Sequence, residues 1–411
     1  MTKIVDLIHS LIAMPVLALA SRIAAIFNAK AGQRFTGLSG DDWKVPSHIG
    51  PTLWVHAASM GEFEQLVPVL QRIRASRPDV YIVGTAYSPS GFVHQRRSGL
   101  VDDLHYLPVD TRRNARKTVR SIDADVLLVG RYDLWRNHVL ACSAHGTSVM
   151  LVNATMPSSG RKGFLRSWTA DTYRRCSSIT AVTEADAATL HMLTERVVDV
   201  LPDTRYDRIT DRLHHPLADI LALRDESVTT IVLGSSWEPD EDLFLPALRL
   251  HGLRLVIVPH EPTEDALQRI ERRFPCTRLS VASAGTTGHL VVDSVGKLLS
   301  LYAIADAAFV GGGFGAGVHS VAEPAGYGIP LACGPRIDRA ADAIALRDLG
   351  ALHVVTTVEE AMTWITMHVV DIDRRKQDGE TAGRYISSRT GSSGIIADRI
   401  DAALPKRTTE P

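Results

Sequence analysis

The sequence predicts an α/β fold built as two parallel-sheet domains in tandem, and three observations carry that expectation. The chain has 411 residues, too many for one ordinary core and enough for two. Hydrophobic residues make up 45% and charged residues 22%, the balance of a folded chain and not of a disordered one. From about residue 50 onward, short apolar runs alternate with longer mixed segments, which is the pattern of βαβ units.

Taken in order, the first-half strands are expected at Thr52–Ala57, Val80–Thr85, Val126–Val129, Ser148–Asn153 and Ser178–Val182. Helical stretches such as Glu62–Ser76 and Pro89–Arg97 lie between them. A polar stretch without pattern follows at Thr210–Thr229. Alternation restarts with Thr230–Gly234, Arg254–Val258, His289–Val292 and Ala307–Val310, then Ile329–Ala332 and a helix from near Ala340. The expected domains are 36–212 and 225–400, joined near residue 215. Their strand ends would face one another across a cleft, where open α/β sheets take their ligands.

Lys and Arg number 45 against 46 Asp and Glu, a formal net charge of -1, which excludes a general nucleic-acid binder. The four cysteines, Cys142, Cys176, Cys276 and Cys333, form no CxxC pair. A disulfide scaffold and a structural zinc site are therefore not expected, and an intracellular enzyme in a reducing compartment is. Ile4 to Phe27 is apolar but broken by Asp6, His9, Ser10, Pro15, Ser21 and Arg22. Its longest clean stretch, Leu11 to Ala20, has ten residues, short of the ~20 apolar residues a spanning helix needs. Residues 1–35 are read as a membrane-associating segment lying on the surface, with Arg22, Lys30 and Arg34 toward anionic headgroups. A helix packed on its own domain and a cleaved signal peptide are the competing readings.

Three constellations carry chemistry. In Val55-His56-Ala57-Ala58-Ser59-Met60-Gly61-Glu62 a strand enters a small-residue turn and an acid opens the next helix. Ser59 and Glu62 form a capping-box pair. Alternatively, Glu62 at a strand's carboxyl end is a partly desolvated base for a hydroxyl proton. In Val310-Gly311-Gly312-Gly313-Phe314-Gly315-Ala316-Gly317-Val318-His319-Ser320-Val321-Ala322-Glu323 a strand delivers glycines, and a helix is expected from His319 or Ser320. Backbone N–H groups there could approach an anion. A NAD-binding reading competes, without the acidic ribose ligand about 20 residues on. Glu323 could accept from ribose hydroxyls or answer the helix dipole. The third set is Gly234-Ser235-Ser236-Trp237-Glu238, followed by Asp240-Glu241-Asp242 as a helix start, with Pro259-His260-Glu261-Pro262 at the next strand end. Ordinary turn chemistry also explains it.

Read together, these motifs resemble the 3-deoxy-D-manno-octulosonic acid (Kdo) transferases of lipopolysaccharide assembly. The resemblance also rests on Thr85-Ala86-Tyr87-Ser88-Pro89-Ser90-Gly91, Tyr106-Leu107-Pro108-Val109-Asp110, Asp133-Leu134-Trp135-Arg136-Asn137, Val152-Asn153-Ala154, Asp203-Thr204-Arg205-Tyr206-Asp207 and Asp293-Ser294-Val295-Gly296, and it ends at Gly328-Ile329-Pro330. It covers roughly residues 15 to 345. It implies a GT-B enzyme with two Rossmann-like domains, moving Kdo from CMP-Kdo to a lipid A precursor (lipid IVA). Inversion, no metal and no cofactor beyond CMP-Kdo as co-substrate are implied, at the cytoplasmic face of the inner membrane. Glu62 matches the family's proposed base, and Arg205 a basic residue supporting the transition state. Donor contacts are implied at Gly234, Ser235, Ser236, Pro259, His260, Val295, Gly296, Lys297, Gly312, Gly313, Gly315, His319, Ser320, Val321, Ala322 and Glu323. Acceptor contacts fall at Ser59, Met60, Gly61, Arg131 and Asp133. The chain departs from the pattern at His260-Glu261, where many members carry Arg-His, at Ser320 in place of Asn, and at Arg131 in place of an acid. A GT-B enzyme for another nucleotide sugar, a sugar-nucleotide epimerase and a silent lipid-binding module remain alternatives.

Overall fold

A computed structural model describes residues 11, 14, 16, 45, 48, 50–131, 133–156 and 164–406. The segment 1–35 thus lies almost wholly outside the described residues. Among those described, no helix is long and apolar enough to cross a membrane. The chain divides into two compact units, Met1–Arg208 with Gly391–Pro411, and Ile209–Thr390.

The first unit holds β1 (Thr52–His56), β2 (Tyr81–Ala86), β3 (Asp103–Tyr106), β4 (Val126–Gly130), β5 (Ser148–Ala154), β6 (Ser178–Ala181) and β7 (Asp199–Val200). They form one parallel sheet in the order β3-β2-β1-β4-β5-β6-β7. Every residue of β1 and β4 is buried, as a sheet covered by helices on both faces requires. Two apolar clusters line its faces. One gathers Trp54, Leu127, Val129 and Leu151, the other Leu53, Val55, Leu66, Leu70 and Ile73.

The second unit holds β8 (Thr229–Ser236), β9 (Leu253–Pro259), β10 (Cys276–Arg278), β11 (His289–Val291), β12 (Ala307–Val310), β13 (Leu331–Cys333) and β14 (Leu352–Val354). This sheet is also parallel, in the order β10-β11-β9-β8-β12-β13-β14. Its core packs Ile231, Leu233, Phe244, Ile257, Phe309 and Trp364. In each sheet the winding reverses once near the middle, between β1 and β4 and between β8 and β12. Such a switch point opens a crevice at the strands' carboxyl ends.

Several expectations are corrected. β3, β7, β10 and β14 were not foreseen, being two to four residues long and, in β3 and β10, polar. The stretch at 210–229 carries the end of a helix, Arg205–Leu213, and a short one, Ala218–Leu221. Residues 391–400 belong with the first unit, not the second. Asp207 accepts from the N–H groups of Gly391 (2.6 Å) and Ser393 (2.8 Å). The helix Ser392–Ala403 that follows lays Ile396, Ala397 and Ile400 into the cluster of Leu66, Leu70 and Ile73.

Candidate active site

β1 ends at His56, and the turn Ala57-Ala58-Ser59 leads into the helix Met60–Ser76. Ser59 caps that helix, its Oγ accepting from Glu62 N–H at 3.4 Å. Glu62 Oε2 accepts in return from Ala58 N–H (2.8 Å) and Ser59 N–H (3.2 Å). The capping box is therefore real, yet both of its return bonds fall on one carboxylate oxygen. Burial pushes the Glu62 carboxyl above its ordinary value and the nearby Asp133 charge adds to this, while the two backbone donors and His56 pull it back. A carboxylate so raised is the environment of a general base. Met60 and Gly61 beside it are exposed.

β4, across the switch point, supplies the other wall. Asp133 Oδ2 lies 3.0 Å from His56 Nε2, and His56 Nδ1 lies 2.9 Å from Thr85 Oγ1. His56 was not picked out as a site residue; its signal is its place as the last residue of β1. Arg131 stands in the left-handed region (φ 61°), donates from Nε to Gln65 Oε1 at 3.1 Å and comes within 3.7 Å of Asp203 Oδ2. Arg205 approaches the same oxygen at 3.8 Å and donates its backbone N–H to Asp203 Oδ1 at 2.9 Å. Two guanidiniums thus share one buried carboxylate, which leaves the cluster net positive. Other motif residues serve the scaffold. Asp110 accepts from the N–H groups of Asn137 (3.0 Å) and His138 (3.1 Å), and so caps the helix Arg136–His145 from a neighbouring loop. Asn153 Nδ2 donates to Thr204 Oγ1 at 2.7 Å.

In the second unit, β8 and β12 deliver the other two constellations to their switch point. Gly234 sits where a Cβ would come 2.0 Å from the Tyr302 hydroxyl. Ser235 adopts φ 53°, and Ser236 turns inward to Glu241 Oε1 at 3.1 Å. The side chain of Asp240, not assigned beforehand, ties the two turns together. Its Oδ2 accepts from Trp237 N–H (2.9 Å) and Gly312 N–H (3.0 Å). Burial raises the Asp240 carboxyl, and these two donors offset part of the rise. His260 and His319 stack with ring centres 4.3 Å apart, and Trp237 stacks on His260 at 5.0 Å. Burial, with His260 beside it, lowers the His319 imidazole below its usual range. An aromatic platform of this kind suits a nucleobase, and Trp237 was missing from the expected donor set.

The glycine loop departs from expectation in two respects. No helix starts at His319 or Ser320, because Val318 N–H donates to Arg336 O and His319 N–H to Gly311 O, holding a return loop. The helix here is only Ala322–Gly326, too short for a useful dipole. The N–H groups of Gly315 and Gly317 are likewise committed within the turn, to Gly312 O, that of Gly311 goes to Gly234 O on β8, and that of Gly312 to Asp240. Gly313 is packed so closely on Gly334 that a Cβ would lie 2.6 Å from its backbone. Val321 and Ala322 are buried, whereas Ser320 is exposed and Glu323 half-buried. The Glu323 charge acts on the buried Tyr302, whose hydroxyl burial pushes well above its ordinary value. Val295 and Gly296 form an exposed turn, and Lys297 Nζ lies 3.4 Å from Asp219 Oδ2. Pro259 ends β9.

Known proteins resemble this chain in sequence and in fold. Residues 29–208 match the family model of 3-deoxy-D-manno-octulosonic-acid transferase (kdotransferase). The chain is 27% identical over 326 residues to the 3-deoxy-D-manno-octulosonic acid transferase of Chlamydophila psittaci, covering 75% of each. Against that of Bordetella pertussis it is 24% identical over 388 residues, 87% of this chain and 89% of the relative. Among solved structures, the UDP-GlcNAc 2-epimerase of Neisseria meningitidis superposes with a TM-score of 0.61 at 14% identity, covering 86% of this chain and 100% of that one. MurG of Acinetobacter baumannii gives 0.55 at 12% identity, covering 86% and 99%. At these identities the likeness concerns the fold alone, which is GT-B. The chain is thus similar to the 3-deoxy-D-manno-octulosonic acid transferases, in the family model over residues 29–208 and in these relatives over most of its length.

Proposed function

We propose that the protein transfers Kdo from CMP-Kdo to a primary hydroxyl of a lipid A precursor, lipid IVA, with inversion and with Glu62 as general base. One observation carries the reading: Glu62 stands at the switch point of the first sheet with its carboxyl raised by burial and by Asp133. Backbone donors occupy Oε2, which directs proton transfer to Oε1. The acceptor oxygen then bonds to the anomeric carbon as the bond to the CMP phosphate breaks, its electron pair going to the phosphate. The first unit serves the acceptor through Ser59, Met60, Gly61, Arg131 and Asp133. Arg131 and Arg205, sharing Asp203, supply positive charge for an anionic sugar and its transition state.

The second unit serves the donor. Trp237, His260 and His319 offer a stacking face for the cytosine, and Glu323 an acceptor for ribose hydroxyls. The reaction proceeds without a metal or any cofactor besides the co-substrate. The enzyme works at the cytoplasmic face of the inner membrane, with residues 1–35 on the lipid surface. The test is incubation of the purified chain with lipid IVA and CMP-Kdo, followed by mass analysis of the lipid. Gain of Kdo with release of CMP is expected, and an unchanged lipid overturns the reading.

A further inference from the structure

The second unit contains a side-chain cluster that the transfer reaction does not use. His353 lies on β14, His368 in the helix Val358–Val370 and Asp378 in the helix Ile372–Ser387. His368 Nδ1 is 2.9 Å from the carbonyl of Trp364. A carbonyl only accepts, so Nδ1 carries the proton and, in the neutral ring, Nε2 is a lone pair. That lone pair faces Asp378 Oδ2 at 3.1 Å. His353 Nε2 lies 3.5 Å from the same oxygen, buried and without a hydrogen-bond partner. Arg374 Nε donates to the other oxygen, Oδ1, at 2.8 Å.

With His353 in its Nδ1–H tautomer, three electron-pair donors converge within 4.8 Å of one another. The other tautomer would let His353 donate to Oδ2 only across a long 3.5 Å and would leave the His368 lone pair facing a carboxylate oxygen. One cation satisfies all three. A tetrahedral ion about 2.1 Å from each ligand sets its ligands about 3.4 Å apart, close to the observed 3.1 and 3.5 Å. The outer contacts also suit a metal centre: a backbone carbonyl fixes one imidazole, and a guanidinium steadies the carboxylate. We infer that His353 Nε2, His368 Nε2 and Asp378 Oδ2 bind a divalent ion of the zinc class, two imidazoles and one carboxylate being the donor set such an ion prefers. The ion staples the three-residue edge strand β14 to the two helices that follow it.

The experiment uses the full chain after chelator treatment, titrated with Zn²⁺ by calorimetry and with Co²⁺ by visible absorption. One ion per chain is expected, with cobalt bands of tetrahedral type and no sulfur-to-cobalt charge-transfer band. His353→Gln should weaken zinc binding on the order of tenfold or more. At zinc 100-fold above Kd the wild-type unfolding constant should fall by about 100-fold, and by much less in the variant. Absence of stoichiometric binding overturns the proposal, as does a thiolate band, or equal affinity in His353→Gln and Asp378→Asn. If Asp378→Asn fails to fold, the partly exposed His353→Gln decides alone. None of these readouts passes through sugar transfer, so failure here and failure of the transferase reading are separable.

Discussion

Glu62→Gln separates the observed capping role of this side chain from its proposed role as base. As the third residue of the capping box, Glu62 accepts from Ala58 and Ser59 N–H through Oε2. A glutamine amide oxygen can accept the same pair, since Gln serves at that position as Glu does. What the variant loses structurally is the favourable charge at the helix start, about 0.3–1 kcal/mol, and the cost of burying a carboxylate disappears with it. Stability should change by no more than about 1 kcal/mol, or about 2–4 °C in Tm for a domain of this size. What it loses chemically is the base. A placed general base contributes about 10²–10⁴-fold, equivalent to about 2.7–5.4 kcal/mol of barrier. The assay is turnover of CMP-Kdo with lipid acceptor at saturating donor, beside calorimetric CMP affinity, which should be unchanged. Ser59→Ala is the control. It removes the cap at about 1 kcal/mol and keeps the carboxylate, so at saturating acceptor, where a lost binding contact from Ser59 no longer counts, it should lower Tm with a far smaller loss of turnover. The reasoning is refuted if Glu62→Gln keeps turnover within tenfold of wild type, or if Ser59→Ala loses as much.

Further expectations bear on the rest of the molecule. Asp133 raises the Glu62 carboxyl by like-charge repulsion, so Asp133→Asn should move the acidic limb of the kcat/KM–pH profile to lower pH; an unmoved or raised limb contradicts the coupling. Burial alone would push Asp110 up, but hydrogen bonds from His138 and from the N–H groups of Asn137 and His138 carry it below its ordinary 3.8. Its stabilisation is thus complete above 3.8 and is lost as pH falls through the lower folded value. Asp110→Asn should show a shallower loss of stability in acid, read from urea midpoints at several pH values. Gly234→Ala forces a methyl against the buried Tyr302 hydroxyl, and overpacking of this kind costs about 1–3 kcal/mol, visible as a lowered Tm. Ile400→Ala empties a fully buried position where the C-terminal helix meets the first unit, at about 2–5 kcal/mol, read from the same melts.

The sheets were legible where strands are central and apolar. β1, β4, β8, β9 and β12 announce themselves as buried runs, because both faces of a parallel sheet are covered. The edges were not. Asp103-Leu104-His105-Tyr106 reads as polar, and its pairing is set by β2 beside it, not by its own composition. The return of the last helix to the first unit was also hidden. The carboxylate that fixes it, Asp207, stands far away in sequence from the Gly391 and Ser393 N–H groups it receives. The place of Glu62 at a strand's carboxyl end was legible because it follows a strand by a small-residue turn. His319 was misread as a helix start, since the bonds that hold it run to Gly311 and from Val318 to Arg336, and no local pattern encodes them.

The two switch points share one local device and put it to different uses. In each, a strand ends in a small-residue turn, and an acid a few positions on reaches back to the turn's N–H groups: Glu62 to Ala58 and Ser59, Asp240 to Trp237 and then across to Gly312. Both carboxyls are raised by burial. The sequence signature cannot distinguish them, and exposure does. Asp240 is 1% exposed and spends Oδ2 on joining two loops, so it can only hold the aromatic platform in register. Glu62 is half-buried beside the exposed Met60 and Gly61, so a hydroxyl can reach it. The same acid-closed turn therefore makes a clamp when sealed and leaves a carboxylate within reach of a hydroxyl when open to solvent, which is what the proposed base requires.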